Sequence, residues 1–139
     1  MAASFQNKVA VVTGGGSGIG RATALAFGAA GANVVVANRT ASSGSATVDA
    51  IRKAGGDATW VATDVAKAAD VEALMGKAVS QYGRIDFVCA SAGSQPTPGP
   101  MLDETEAAWD LNLDVNLKGT WLAMKYAIPH MLKSGGGSI

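Results

Sequence analysis

The 139 residues are 48% hydrophobic and carry a formal net charge of zero, with lysines and arginines scattered along the chain. That composition supplies one core and excludes a nucleic-acid surface built on phosphate contacts. No apolar run approaches the ~20 residues that span a bilayer, and Met1 to Lys8 lacks the charged-then-apolar order of a secretion signal, so no membrane partner is expected and the chain reads as cytoplasmic.

Val9 to Val12 is an apolar run that predicts the first strand. Behind it stands Thr13-Gly-Gly-Gly-Ser-Gly-Ile-Gly20, and a helical pattern begins at Arg21. A strand, a glycine turn and a helix N-terminus form a phosphate cradle: Gly14, Gly18 and Gly20 let the backbone approach a ligand, and unpaired N–H groups attract a pyrophosphate. Two other phosphate loops do not fit these letters. No register gives Gly-x-Gly-x-x-Gly, and a Walker loop counted from Gly15 would need Lys-Ser or Lys-Thr where Arg21-Ala22 stand.

The first helix places Ile19, Ala22, Leu25, Ala26 and Ala29 at the spacing of one buried face, with Gly28 and Gly31 weakening and ending it. Asn33 to Ala37 is a β-branched run expected for a strand covered on both faces. Asn38-Arg39 follows it, where a ribose-reading acid is common. Asn38 is neutral and can bond a ribose hydroxyl, while Arg39 can pair with a 2′-phosphate, so the pair favours NADP over NAD. Ser45 to Ala54 predicts the second helix and Ala58 to Ala62 the third strand. Asp64, just beyond that strand, reads either as a ligand contact or as the N-cap of the next helix. Val71, Leu74, Met75, Ala78, Val79 and Tyr82 mark the third helix.

Ile85 to Ala90 predicts the fourth strand, with Cys89 as a buried small hydrophobe; a single cysteine forms no internal disulfide, and no metal site is expected. A Gly/Pro-rich loop runs from Gly93 to Pro100. A long helical region follows, with Leu117, Trp121, Met124, Ile128 and Met131 in register and Pro129 placed to distort it. Gly135 to Ile139 reads as the turn into a fifth strand. Strands and helices alternating throughout predict an α/β fold with a doubly wound parallel sheet in three layers.

Thr13-Gly-x-x-x-Gly-x-Gly20, Asp64-Val65, Ala92-Gly93 and Asn116-Leu-Lys-Gly119 together resemble the short-chain dehydrogenase/reductase family, over essentially the whole chain but only the first half of a typical member. The resemblance implies a Rossmann-like domain over 1–139, the N-terminal part of a longer domain, that binds NADP or NAD. It implies that Gly14, Ser17, Gly18, Ile19 and Gly20 hold pyrophosphate, that Asn38 and Arg39 read the ribose, and that Asp64 and Val65 flank adenine. Ala92, Gly93 and the loop to Pro100 would lie near the nicotinamide side, and Asn116 would be the one catalytic tetrad member present. Two departures stand out. Ser17 occupies a position often basic in NADP-preferring relatives, and Ala90-Ser91 replace a pair of asparagines whose amides steady the sheet, leaving Ser91 to supply one bond.

The family's serine and its Tyr-x-x-x-Lys are missing: Asp86 stands four residues after Tyr82, and His130 four after Tyr126. The complete form is expected to interconvert an alcohol and a ketone or aldehyde. This chain alone is expected to be inactive, and a non-catalytic nucleotide-binding or regulatory module is the alternative. Ending at Ile139, where a buried strand should begin, predicts a fragment of a longer oxidoreductase. The long helical region also resembles one that pairs across a subunit interface, so a homo-oligomer is expected.

Overall fold

The computed structural model describes residues 4–95 and 98–139. Positions 1–3, within the stretch read for a secretion signal, and 96–97, inside the Gly93 to Pro100 loop, lie outside the described residues. Elements follow in the order β1 (Val9–Thr13), α1 (Gly18–Ala29), β2 (Asn33–Asn38), α2 (Ala41–Lys53), β3 (Asp57–Ala62), α3 (Ala68–Tyr82) and β4 (Phe87–Ala90). A short 3-10 turn (Met101–Asp103) leads to α4 (Glu106–Asn112), a π-helical stretch (Leu113–Lys118) and α5 (Gly119–Lys133). The strands form one parallel sheet in the order β3-β2-β1-β4. Ser138 makes an isolated parallel bridge to Phe87 of β4, within the segment read as the turn into a fifth strand.

Strand periodicity builds two cores from one sheet. Val9, Val11, Val35 and Ala37 face α3 and α5, where Leu74, Met75, Ala78, Leu122, Ala127 and Met131 are buried. Val12, Val34 and Val36 face the opposite side, with Ala24 of α1 and Val48 and Ile51 of α2. Because both faces are covered, β1 and β2 read as unbroken apolar runs. Cys89 packs on the second core but is only half-buried, since β4 lies at an end of the four-stranded order.

Two helix faces differ from expectation. In α1 the buried residues are Gly20, Ala24 and Gly28, whereas Ile19 is 79% exposed. Small side chains let this helix lie close to its neighbours: a Cβ on Gly28 would stand 2.8 Å from Cγ2 of Ile51. Gly28 is therefore a packing position and not a helix breaker. In α5 the core face is Gly119, Leu122, Ala123, Ala127 and Met131. Of the stripe read from the sequence, Leu117 (66%), Trp121 (50%), Met124 and Ile128 are exposed, and only Met131 is buried. The inner face combines Leu122 and Met131 with the small Gly119, Ala123 and Ala127, while Trp121, Met124 and Ile128 lie on the outer face. The helix continues through Pro129 to Lys133. Helix α2 starts at Ala41, four residues earlier than expected, with Gly44 inside it. No helix among the described residues is long and apolar enough to cross a membrane.

At the sheet's amino end a buried carboxylate ties three segments together. Asp86 accepts hydrogen bonds from the Val9 N–H at 2.9 Å, Lys8 Nζ at 3.1 Å, and Arg84 Nε at 2.8 Å and Nη2 at 2.6 Å. Its own backbone N–H donates to Val9 O, and its carbonyl accepts from the Ser138 N–H. Burial alone would raise this carboxyl's pKa, but the Arg84 guanidinium, the Val9 N–H and Lys8 outweigh it and hold the group below its ordinary range.

Candidate nucleotide site

The carboxyl ends of all four strands open onto one cleft of about 660 Å³, within the ~300–1,000 Å³ typical of small-molecule sites. Its walls include Gly14, Ser17, Gly18, Ile19, Gly20, Asn38, Arg39, Asp64, Val65, Ala92 and Gly93. The carboxyl-end rule thus brings together residues spread over eighty positions of sequence.

At the β1–α1 turn, Gly14 adopts φ +67°, and an added Cβ would stand 2.8 Å from backbone atoms of Ala92 and Ser91. A Cβ on Gly20 would collide with the Gly14 carbonyl. The turn is drawn in against both the start of α1 and the end of β4, which leaves the cleft floor as bare backbone. Ser17 is the N-cap of α1 in extended conformation, and its side chain makes no capping bond. The first N–H groups of the helix therefore keep their lone-pair demand at the cleft wall, the polarity an anion satisfies.

At the β2–α2 turn, Asn38 and Arg39 differ. Asn38 spends its amide internally: Nδ2 donates to Thr40 O at 2.8 Å and Ser43 Oγ at 2.9 Å, and Oδ1 accepts from Trp60 Nε1 at 2.9 Å. The amide expected to meet a ribose hydroxyl is already bonded on both sides. Arg39 is exposed at the cleft rim and makes no hydrogen bond or ion pair among the described residues.

Beyond β3, Asp64 is not the N-cap of α3; Lys67 is. Asp64 Oδ1 accepts from the Ala66 N–H at 3.1 Å in a local turn, and the carboxylate still lines the cleft beside the buried Val65.

Beyond β4, Ser91 does not replace the missing asparagine amides, since its hydroxyl makes no hydrogen bond among the described residues. The buried Thr13 hydroxyl instead accepts the Ala92 N–H at 3.2 Å. Asn116 lies in the π-helical stretch and outside the cleft wall. Its side chain brackets Ser94, with Oδ1 accepting the Ser94 N–H at 2.8 Å and Nδ2 donating to Ser94 O at 3.0 Å. Asn112, one turn earlier, accepts the Ser94 hydroxyl at 2.9 Å. The Asn116 main-chain carbonyl accepts the Thr120 hydroxyl at 2.9 Å. A π-helical widening at this point is the kind of irregularity that collects at functional sites.

Sequence reasoning missed Gly16, Ala37, Thr40, Ser43, Thr63 and Val115 as cleft residues, whereas Ser94 and Gln95 belong to the loop expected near the nicotinamide side. Ser43 carried a usable signal: it lies five residues past a strand end, as the turn folds back over the site. Neither tyrosine stands in the cleft wall, and Tyr82 is pushed up to about 12 by burial and by the nearby charge of Asp57.

The family pattern described as short chain dehydrogenase matches residues 8–139. An uncharacterized oxidoreductase of Thermotoga maritima is 40% identical over 136 residues, covering 98% of this chain and 53% of the relative. Cis-4-hydroxycyclohexanecarboxylate dehydrogenase of Sinomonas cyclohexanicum is 39% identical over 139 residues, covering 100% of this chain and 55% of the relative. A metagenomic short-chain oxidoreductase solved in complex with NADP superimposes with a TM-score of 0.91 at 33% identity, covering 96% of this chain and 60% of that one. The chain spans about half the length of the curated relatives it matches.

Proposed function

The chain belongs to the short-chain dehydrogenase family, and from that premise we propose that its cleft binds NADP in preference to NAD within an oxidoreductase that interconverts an alcohol and a ketone or aldehyde. The observation that carries this reading is the convergence of four strand ends on one cleft whose floor, at Gly14 and Gly20, has no room for a side chain. When bound, the nicotinamide supplies or accepts a hydride. The chain's own residues bind and orient it. The backbone of Gly14 to Gly20 and the start of α1 hold pyrophosphate, Asp64 and Val65 flank adenine, and Ala92 and Gly93 border the nicotinamide end. Asn116 positions the Ser94 loop through the two hydrogen bonds of its side-chain amide.

Arg39 supports the NADP preference, because an exposed guanidinium at the rim can pair bidentately with a 2′-phosphate. Calorimetric titration of Arg39→Ala with NADPH and NADH tests it. Charge-assisted hydrogen bonds of this type are worth about 1.5–3 kcal/mol, so NADPH affinity should fall by about tenfold or more while NADH affinity changes little. Equal losses for both would reject the assignment.

A reading without turnover is favoured for these 139 residues by the absence of any Tyr-x-x-x-Lys. On that reading the chain senses or stores the nucleotide, and it should bind NADPH without oxidising it in the presence of a ketone panel.

We also propose that the outer face of α5 packs against a second copy. Leu117, Trp121, Met124 and Ile128 form an exposed apolar stripe with Lys125 Nζ 5.0 Å from the Trp121 ring centroid. Sedimentation should show a dimer for the wild type and a monomer for Trp121→Glu combined with Ile128→Glu. Identical sedimentation would reject this face as the interface.

A further inference from the structure

The indole of Trp60 is not part of the cleft wall, yet it bonds the residue that precedes Arg39. Trp60 lies on β3, opposite Val36 of β2 and packed on the second core. Its Nε1 donates to Asn38 Oδ1 at 2.9 Å. An indole N–H only donates and the Thr40 carbonyl only accepts, so the chemistry of its partners fixes which way the Asn38 amide faces. With its oxygen turned to Trp60, both amide N–H groups go to Thr40 O and Ser43 Oγ, and Ser43 Oγ in turn donates to Thr40 O at 3.1 Å. The residues on either side of Arg39 are thereby held in one arrangement.

Gly44 makes the arrangement possible. It lies in the first turn of α2 and is buried, and a Cβ there would overlap Cδ1 and Nε1 of Trp60 and Oδ1 of Asn38. Glycine inside a helix is unfavourable relative to alanine, and here the missing methyl is the space the indole occupies. Gly16 in the cleft floor meets the same network from the other side, since its Cβ would stand 2.5 Å from Asn38 Nδ2 and 2.7 Å from Ser43 Oγ. The network thus joins β3, α2 and the glycine turn.

We infer that Trp60 is a positioning residue for nucleotide choice: it locks Asn38 away from the ribose and presents Arg39 as the group that reads a 2′-phosphate. This rests on the nucleotide-binding reading above. With its amide donors engaged, Asn38 offers no N–H to the 2′-hydroxyl of NAD. A held turn spares Arg39 part of the ordering cost of gripping a phosphate.

Trp60→Phe removes the N–H and keeps a ring against the core. Without its donor the Asn38 amide is released toward the cleft, where it can bond a ribose hydroxyl, and the Arg39 turn loosens. Both changes lower the preference for NADPH over NADH. The ratio of the two dissociation constants should fall by about three- to tenfold, the worth of one or two net hydrogen bonds. Gly44→Ala, which fills the indole's space from the helix side, should lower the ratio in the same direction. A purely structural role would weaken both nucleotides together and leave the ratio fixed. An unchanged ratio in Trp60→Phe, with wild type binding both nucleotides, overturns the inference and leaves the parent reading standing. Failure of the folded wild type to bind either nucleotide overturns both.

Discussion

Gly14→Val should abolish measurable dinucleotide binding, a loss of at least about a hundredfold. Two penalties combine. A β-branched residue at φ +67° sits in a backbone region that L side chains disfavour by ~1–2 kcal/mol. Its Cβ would also meet the Ala92 Cα and N and the Ser91 carbonyl at 2.8 Å, and these are backbone atoms of the β4 end that cannot rotate away. The glycine turn must move off β4, and the pyrophosphate cradle moves with it. Gly55→Ala is the control. Gly55 has φ +87° on the α2–β3 turn, with nothing near the position of an added Cβ. It should lose ~1 kcal/mol of stability and bind nucleotide like the wild type. Parallel titration and urea unfolding of the two variants check the contrast. Normal binding by Gly14→Val would show that the turn does not hold the phosphates.

Asp86→Ala should have the largest effect on stability. The side chain is 5% exposed and receives four hydrogen bonds, two of them from Arg84. Removing it leaves the Val9 N–H without an acceptor and two cations without their counter-charge. Arg84 and Lys8 reach solvent in part, so the cost is below that of a fully enclosed pair, about 2–4 kcal/mol. The pH dependence has a definite sign. Asp86 is held below its ordinary value of 3.8, so its contribution is complete above the unfolded-state pKa and is lost as pH falls through the lower folded value. Urea unfolding from pH 7 to pH 2 should show the wild type and Asp86→Ala differing fully above about pH 5, with the gap narrowing as pH falls below the unfolded-state value. A constant gap over that range would rule out the ionised carboxylate as the source.

How much was legible in the sequence depends on what each residue packs against. The strands were plain because β1 and β2 are covered on both faces and read as valine runs. The faces of α1 and α5 were misread because hydrophobic size was taken for burial. Close packing at Gly20, Ala24 and Gly28 selects small residues, and in α5 Trp121, Met124 and Ile128 lie outward while Leu122 and Met131 pack inward. The cleft was legible because strand ends mark ligand sites, and Asp64, Val65, Ala92 and Gly93 follow strand ends directly. The role of Asn38 was not, because its partner Trp60 is 22 residues away and only the parallel β2–β3 register brings them together. Asp86 was likewise hidden inside an apolar run, since its partners Lys8 and Val9 come from the far end of the chain.

The central claim is that these 139 residues fold a nicotinamide dinucleotide site whose phosphates rest on the β1–α1 turn. Titration of the chain with NADPH, followed by quenching of the fluorescence of Trp60, Trp109 and Trp121, tests it most directly. We predict saturable one-to-one binding with a weaker isotherm for NADH. A sample that unfolds cooperatively in urea yet shows no saturable quenching with either nucleotide would contradict it.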